Sequence, residues 1–446
     1  MSKGATVPPR PLASQRAAVL RVADVLPGPG SLPWRPMPAP RRVRTRPTRT
    51  SPIRMAWLGF ASAVALAAPP ASAWELKAGL DGLRVVSSDH SLEARLGARF
   101  DVDAAFFDED ETDLDHDVEI RRLRPELSLR VADAWRFKID AELRPRSDPR
   151  VRNLYVGYWG FERSEIRLGN QLSRLGLEGR TGSSDFPFME RSLANAISPG
   201  TLTGLSARHW GRVTRPGPAY HASLGLFMEP LGRREDDKQD AEGLSVVGRL
   251  SFAPWEHENS TLHFGLSGQY RDVSGGGEYR IRSRPGSFTA SRLVDTGTLE
   301  DVTRALTGGV ELAWAWGPLT LQGEYLRTEL SRSRSPDPSF DGAYVFAALL
   351  LTGEHRKYRA RAGGFGRVKP KRSWGALEAA LRWSTLDLQD SGVRGGDQDD
   401  VTLGLNWYVN RNMRVMFNFI SVDANRRRDG RQDRPEIYQL RFQLDI

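Results

Sequence analysis

Between Trp374 and Asp423 apolar side chains fall on every second position, three times over. Leu377, Ala379, Leu381 and Trp383 form one run, Val401, Leu403, Leu405, Trp407 and Val409 a second, and Met413, Val415, Phe417 and Phe419 a third. A period of two is that of a strand, and it sets Glu378, Arg382, Thr402, Asn406, Arg414 and Asn418 on the opposite face. The joints are unequal: Asn410-Arg411-Asn412 is a tight turn, whereas Gln389 to Gln398 reads as a charged, glycine-containing loop. Short turns on one side and long loops on the other are the rhythm of an outer-membrane β-barrel. A soluble sandwich hairpin is the competing reading, and the end of the chain argues against it. Tyr438, Leu440, Phe442, Leu444 and Ile446 alternate with Gln439, Arg441, Gln443 and Asp445 up to the last residue. A bare terminal strand invites aggregation in a soluble sheet, while a closed barrel pairs it with its first strand.

The net charge of +9 over 446 residues suggests a basic protein until the chain is divided. Residues 1–73 hold 11 Lys and Arg against one acidic residue, Asp24, which leaves 53 basic against 54 acidic residues in the remainder. The basicity is that of a leader, so it gives no argument for nucleic-acid binding. The absence of cysteine excludes disulfides and thiolate metal sites. From Met55 an apolar stretch preceded by Arg49 and Arg54 closes on Ala71-Ser72-Ala73, the form of a signal peptide cleaved before Trp74. Its apolar run, Ala56 to Ala68, is short for a membrane helix and ends in Pro69-Pro70. The domain expectation is therefore a disordered or mis-assigned upstream extension over 1–54, a signal peptide over 55–73, a short periplasmic segment over 74–91 and a barrel over 92–446.

Alternation like that of Leu92 to Phe106 recurs along the chain and predicts sixteen strands, an even number that places both ends of the barrel on the periplasmic side. Parity then puts Gln171 to Gly200, Val273 to Leu299 and Gln389 to Gln398 outside, and makes Ala132 to Ala134 and Gly317-Pro318 periplasmic turns. Glu354 to Ser373 is long for such a turn, with room for a further strand. Trp135, Tyr158, Trp159, Trp210, Trp255, Trp314, Trp316, Trp374, Trp407 and Tyr408 sit near strand ends, as interfacial girdles do.

The stretches WGALE at Trp374 to Glu378, LDL at Leu386 to Leu388, LGLNWYVN at Leu403 to Asn410 and FMERSLANAISPG at Phe188 to Gly200 resemble the phosphate-selective porin O and P family of Gram-negative outer membranes. The likeness runs from about Leu80 to Ile446. It implies an outer-membrane porin, a homotrimer among lipid and lipopolysaccharide, with small anionic solutes as cargo and no cofactor. It also implies a third external loop folded back to constrict the pore. Here that loop is Gln171 to Gly200, whose Leu175, Leu177, Phe186, Phe188, Met189 and Leu193 are more apolar than a loop in water needs.

A barrel this wide leaves an aqueous channel, and its inward positions are rich in arginine. Arginine holds an oxyanion in a fork of donors and keeps its charge at any physiological pH, and rings of Arg or Lys select anions. The pore-lining and anion-binding candidates are Arg95, Arg99, Arg122, Arg124, Arg130, Arg136, Arg167, Arg174, Arg180 and Arg191, with Arg271, Arg382, Arg414 and Arg441 also facing inward. Glu93, Asp101, Asp103, Glu119, Glu126, Asp140 and Glu142 alternate with them and can pair across strands. Having both Glu119 and Arg122 inside requires a bulge near Arg121. Phosphate-preferring relatives add lysines at the constriction, and this chain has none between Lys138 and Lys238. A general anion or oxyanion channel is therefore expected.

Catalytic signatures are lacking. None of the seven histidines falls in a HExxH or other metal spacing, and there is no GxSxG elbow. His263 and Ser267, four apart on one strand face, are separated by about 13 Å, too far for a nucleophile and its base. The alternatives to an anion pore are a porin for a sugar or organic acid, and a plugged, adhesin-like barrel.

Overall fold

The computed structural model describes residues 74–79, 82–145, 149–214, 217–231, 243–426 and 430–446, so the extension over 1–54 and the signal peptide over 55–73 lie outside the described residues. Sixteen strands make the wall: β1 (Leu92–Asp108), β2 (Asp117–Val131), β3 (Trp135–Glu142), β4 (Arg150–Tyr158), β5 (Ser164–Leu172), β6 (Thr201–Arg212), β7 (Ala219–Met228), β8 (Leu244–His257), β9 (Ser260–Tyr279), β10 (Leu299–Trp316), β11 (Leu319–Arg332), β12 (Ser339–Leu350), β13 (Ala376–Asp390), β14 (Val393–Tyr408), β15 (Met413–Arg426) and β16 (Glu436–Asp445). Each pairs antiparallel with its neighbours in sequence, and β16 closes the ring on β1, from Asp445 opposite Arg99 to Glu436 opposite Asp108. The sixteen-strand closed barrel expected from the alternation is what forms. Helix is confined to one α turn, Leu177–Arg180, and one 3-10 turn, Leu193–Ala196, among the described residues.

The barrel is inverted relative to a soluble domain. Leu403 and Leu405 are 49% and 54% exposed, whereas Thr402 and Asn406 beside them are 0% and 2%. A strand with its greasy face outward and its polar face enclosed satisfies its backbone in the ladder and its side chains in lipid and lumen respectively. The short-turn end carries an aromatic belt of exposed Trp135, Trp255, Trp314, Trp316, Trp374 and Trp407, with Tyr158 edge-on to Trp135 at 4.9 Å. Trp159, Trp210 and Tyr408 depart from that expectation. They turn inward, the two indoles toward arginines and the Tyr408 hydroxyl onto Glu378 at 2.7 Å.

Segment 74–91 is more than a lead-in. Trp74–Gly79 and Gly82–Ser87 form a hairpin whose second strand pairs with the start of β1, Leu83 opposite Leu96 to Val86 opposite Glu93. The loop expected over Gln389 to Gln398 is mostly strand: β13 and β14 meet at Ser391-Gly392, with φ of 49° and 84°. These are the positive dihedrals of a tight hairpin turn. Glycine and aspartate there reflect a hairpin tip in water, not a long loop. Similarly β9 runs on to Tyr279 before its loop begins.

Three connections enter the lumen. The segment between β5 and β6 (173–200) packs Leu175, Phe186, Phe188, Leu193 and Ile197 against Leu326, Phe340, Tyr344, Phe346 and Leu386 of the wall. Phe188 stands 5.7 Å from Phe346, edge to face. Each such aromatic, fully withdrawn from water, contributes about 2 to 3 kcal/mol, which is why the loop lies on the wall. Gly342 permits the approach, since a Cβ there would come within 2.9 Å of Ala194 Cα. The segment between β9 and β10 (280–298) seats Ala290 and Leu293 on Ile420, Val422 and Ile437. The third is the long turn between β12 and β13 (351–375). It adds no barrel strand; it folds up into the lumen as a small hairpin, Tyr358–Arg359 with Gly364–Phe365, against Ala253, Ala313 and Ala315. Small wall residues make the room.

Candidate functional site

Arginines of the wall fix the loop 173–200 by its backbone. Arg414 donates to the Phe186 carbonyl at 2.7 Å, Arg382 to that of Glu190 at 2.9 Å and Arg441 to that of Met189, while Asn406 holds the Pro187 carbonyl at 2.7 Å. Glu190 is gripped in turn by Arg121 at 2.7 Å, Arg122 at 3.2 Å and Arg441 at 2.7 Å. At the other edge of the loop Glu324 accepts the Leu177 N–H at 3.0 Å. The inserted turn meets the loop from the opposite side, with Arg367 bridging Asp185 at 3.2 Å and Asp445 at 2.6 Å. Its own anchors are Arg249, donating to the Gly363 carbonyl at 2.7 Å, and Tyr358, hydrogen-bonded to His263 at 2.9 Å. His263 also contacts Glu311 at 3.1 Å, so its ring supports the turn.

With the lumen filled along β10–β14, open space remains beside β1–β4. Two cavities of about 350 Å³ lie there, one toward the long loops and one toward the short turns. The first is walled by nine arginines, Arg121, Arg124, Arg144, Arg150, Arg152, Arg174, Arg280, Arg282 and Arg292, and by one carboxylate, Glu142. The second mixes Arg95, Arg99, Lys138 and Arg367 with Glu126, Asp140 and Asp445. Arg124 and Arg152 border both cavities and mark the neck. They are positioned by acids on β3: Arg124 Nε donates to Glu142 at 2.6 Å and Arg152 reaches Asp140 at 3.4 Å.

Arginines outnumber acids around the first cavity even though Arg121, Arg124, Arg152 and Arg280 are paired with Glu190, Glu142, Asp140 and Asp295. Burial, then Arg191, Arg152 and Arg122, push the Arg174 guanidinium well below its ordinary pKa, and it has no hydrogen-bond or ion-pair partner among the described residues. Burial with Arg284 and Arg282 brings Arg292 down to about 10. A guanidinium does not give up its proton in a protein.

Of the ten arginines singled out from sequence, Arg95, Arg99, Arg124 and Arg174 border these cavities. Arg122 is buried between Asp101 at 2.8 Å and Glu190. Arg191 donates to the carbonyls of Glu178 and Thr181 at 3.1 and 2.7 Å, which shapes the loop. Arg130 pairs with Glu93 at 2.7 Å near the turns, and Arg167 pairs with Glu165 at 2.6 Å. Arg136 lies over Trp159, and Arg180 faces Arg249, Arg208 and Arg167. None of these six borders either cavity.

Sequence alternation passed over Arg121 and Arg152 because both are bulge residues. The β1–β2 register skips Arg121 between Asp101 opposite Arg122 and Val102 opposite Ile120, so Arg121 and Arg122 both reach Glu190. The expected bulge is thus present. The β3–β4 register skips Arg152 in the same way. Arg280, Arg282 and Arg292 belong to a loop without periodicity, whose arginine density was the one available signal. Among the described residues no three His, Cys, Asp or Glu side chains converge to hold a metal ion.

Residues 94–446 match the phosphate-selective porin O and P family. The chain belongs to that family. Among curated proteins, Porin O of Pseudomonas aeruginosa is 26% identical over 382 residues, 77% of this chain and 86% of that protein. An uncharacterized protein of Caulobacter vibrioides is 29% identical over 301 residues, 63% of this chain and 59% of its own length. Among solved structures, the in-vitro folded trimer form of OmpT, an outer membrane protein of Vibrio cholerae, superposes with a TM-score of 0.51 at 11% identity, covering 80% of this chain and all of that one. As a member of the porin O and P family the protein is a porin of the Gram-negative outer membrane.

Proposed function

We propose that this porin passes small anions, phosphate and other oxyanions among them, along a lane between the loop 173–200 and the strands β1–β4. The observation that carries the reading is the excess of nine arginines over one carboxylate in the cavity above the neck. Such a chamber concentrates anions by Coulomb attraction and repels cations, and paired guanidinium forks suit oxygens more than bare halide. In this reading Arg174 receives the solute, Arg124 and Arg152 pass it through the neck, and Arg95 and Arg99 meet it beyond. Lys138, paired with Glu126 at 2.8 Å, is among the described residues the one lysine on the lane, whose other cations are arginines, so the preference is for anions in general. The working unit is a homotrimer in a lipopolysaccharide-bearing membrane.

Planar-bilayer reversal potentials under a KCl gradient test this directly: anion preference is expected, and cation preference defeats it. Chloride and phosphate in competition then rank the solutes. Single-channel conductance decides against a plugged barrel, whose record would be silent.

A further inference from the structure

One inward position nearer the rim than Lys138, the wall carries a second cationic group that the lane just described does not use. The Arg136 guanidinium lies 3.8 Å from the centre of the Trp159 ring and that of Arg361, from the tip of the inserted turn, 3.5 Å. Two cations at contact distance from one ring centre cannot share a face, so the indole is sandwiched between them. Neither has an ion-pair partner among the described residues. Arg208 stands 6.0 Å from the same ring and 5.7 Å from Trp210, and shares Glu165 with Arg167. Four guanidiniums thus surround a single carboxylate. The Trp159 indole N–H is buried without an acceptor.

Stacking on an aromatic face holds a guanidinium flat and leaves its N–H edge free, which is the part that binds oxygens. An acid in the same place would have used that edge up. Arg361 is exposed, so a solute can reach it. Partial burial, and after it the neighbouring Arg208, lower its pKa to about 10 against the pull of Glu165.

We propose that Arg136 and Arg361, stacked on Trp159, form a station at the periplasmic rim for a small divalent oxyanion of the sulfate or hydrogen phosphate type, with Arg208, whose Nε and Nη2 are held by Glu165, adding charge beside them. Its donors come from β3 and from the inserted turn, two directions that suit a ligand with charge on several oxygens. Occupancy ties the tip of the turn to the wall.

The test uses the full-length protein, purified and folded in detergent, titrated with sodium sulfate against sodium chloride at constant ionic strength and followed by tryptophan fluorescence. A saturable change with sulfate is expected, weakened at least tenfold by Arg361→Gln and by Arg136→Gln. Folding of each variant is checked by the mobility of the unheated band, so that a failure of one leaves the other to decide. Sulfate affinity unchanged in both variants, or lowered only by Arg124→Ala, overturns the station. The outcome is separable from the conduction reading: Arg361-dependent sulfate binding in a cation-selective barrel upholds the station while the proposed function falls.

Discussion

Replacing Arg124 and Arg152 together by alanine removes the two charges that border both cavities, and its effect can be sized. A unit charge about 4 Å from a passing ion contributes about 1 kcal/mol in a medium as polar as water, and mobile ions in the lane cut this to about half. Two charges therefore supply about 1 kcal/mol, about fivefold in anion occupancy of the neck. The same term acts with opposite sign on a cation, so the anion-to-cation permeability ratio should fall by about 25-fold. Their partners make this a lower bound, since Glu142 and Asp140 lose the cations that cover them at 2.6 and 3.4 Å. The assay is the reversal potential of single reconstituted channels in a KCl gradient, with unit conductance recorded to show the lane is still open. A ratio that moves less than about twofold would refute the placement of the neck, because no screening consistent with a Debye length of about 8 Å hides two charges at contact.

Four further outcomes can be stated, three of them from the anchors. Gly363→Ala asks an L residue to adopt φ of 59° and drives a Cβ to 2.6 Å from Arg249 Nη1, so the turn should leave its seat and unit conductance should rise; an unchanged conductance in a folded barrel would show that the turn does not narrow the lumen. Glu190→Gln leaves Arg121, Arg122 and Arg441 without their shared carboxylate, at about 3 kcal/mol for breaking a largely buried pair, and should give noisier open-channel current; a quiet record would count against the latch. Burial alone would raise the Glu190 carboxyl, but Arg121, Arg122 and Arg441 outweigh it and hold it well below the usual range. A carboxylate depressed on folding contributes stability above its unfolded pKa of about 4.3 and loses it as pH falls through the folded value, so wild-type current should be level from neutral pH down to about 4.5 and grow noisy only in stronger acid. Unheated gel electrophoresis should show a trimer band that heating collapses, and a monomer band alone would contradict the proposed assembly.

The wall was readable because lipid on one side and water on the other impose a period of two on every strand. Where that period breaks, legibility failed for a physical reason. A bulge at Arg152 puts it inward next to Asn153, an arrangement that strict alternation forbids. Strand ends were misjudged at Gln389 to Gln398, since a hairpin rising into water needs no apolar face. The inserted turn gave little sign of itself: it is buried through Tyr358, Ala360 and Phe365, against alanines that read simply as small strand residues. Anchoring arginines and those bordering the cavities look alike in a sequence. Arg382, Arg414 and Arg441 hold loop carbonyls and side-chain partners that Arg174 lacks, which no spacing reveals.

The lumen is filled unevenly, with packed hydrocarbon and the anchoring Arg249, Arg382 and Arg414 along one arc of the cylinder and the arginine-bordered cavities along the other. One side therefore bears the mechanical task of holding the inserted segments in place, and the proposed function gives the other the chemical task of choosing among solutes. In the proposed reading, substitutions on β3 and β4 change which solutes pass while the grip of Arg121 and Arg122 on the loop 173–200 stays in place.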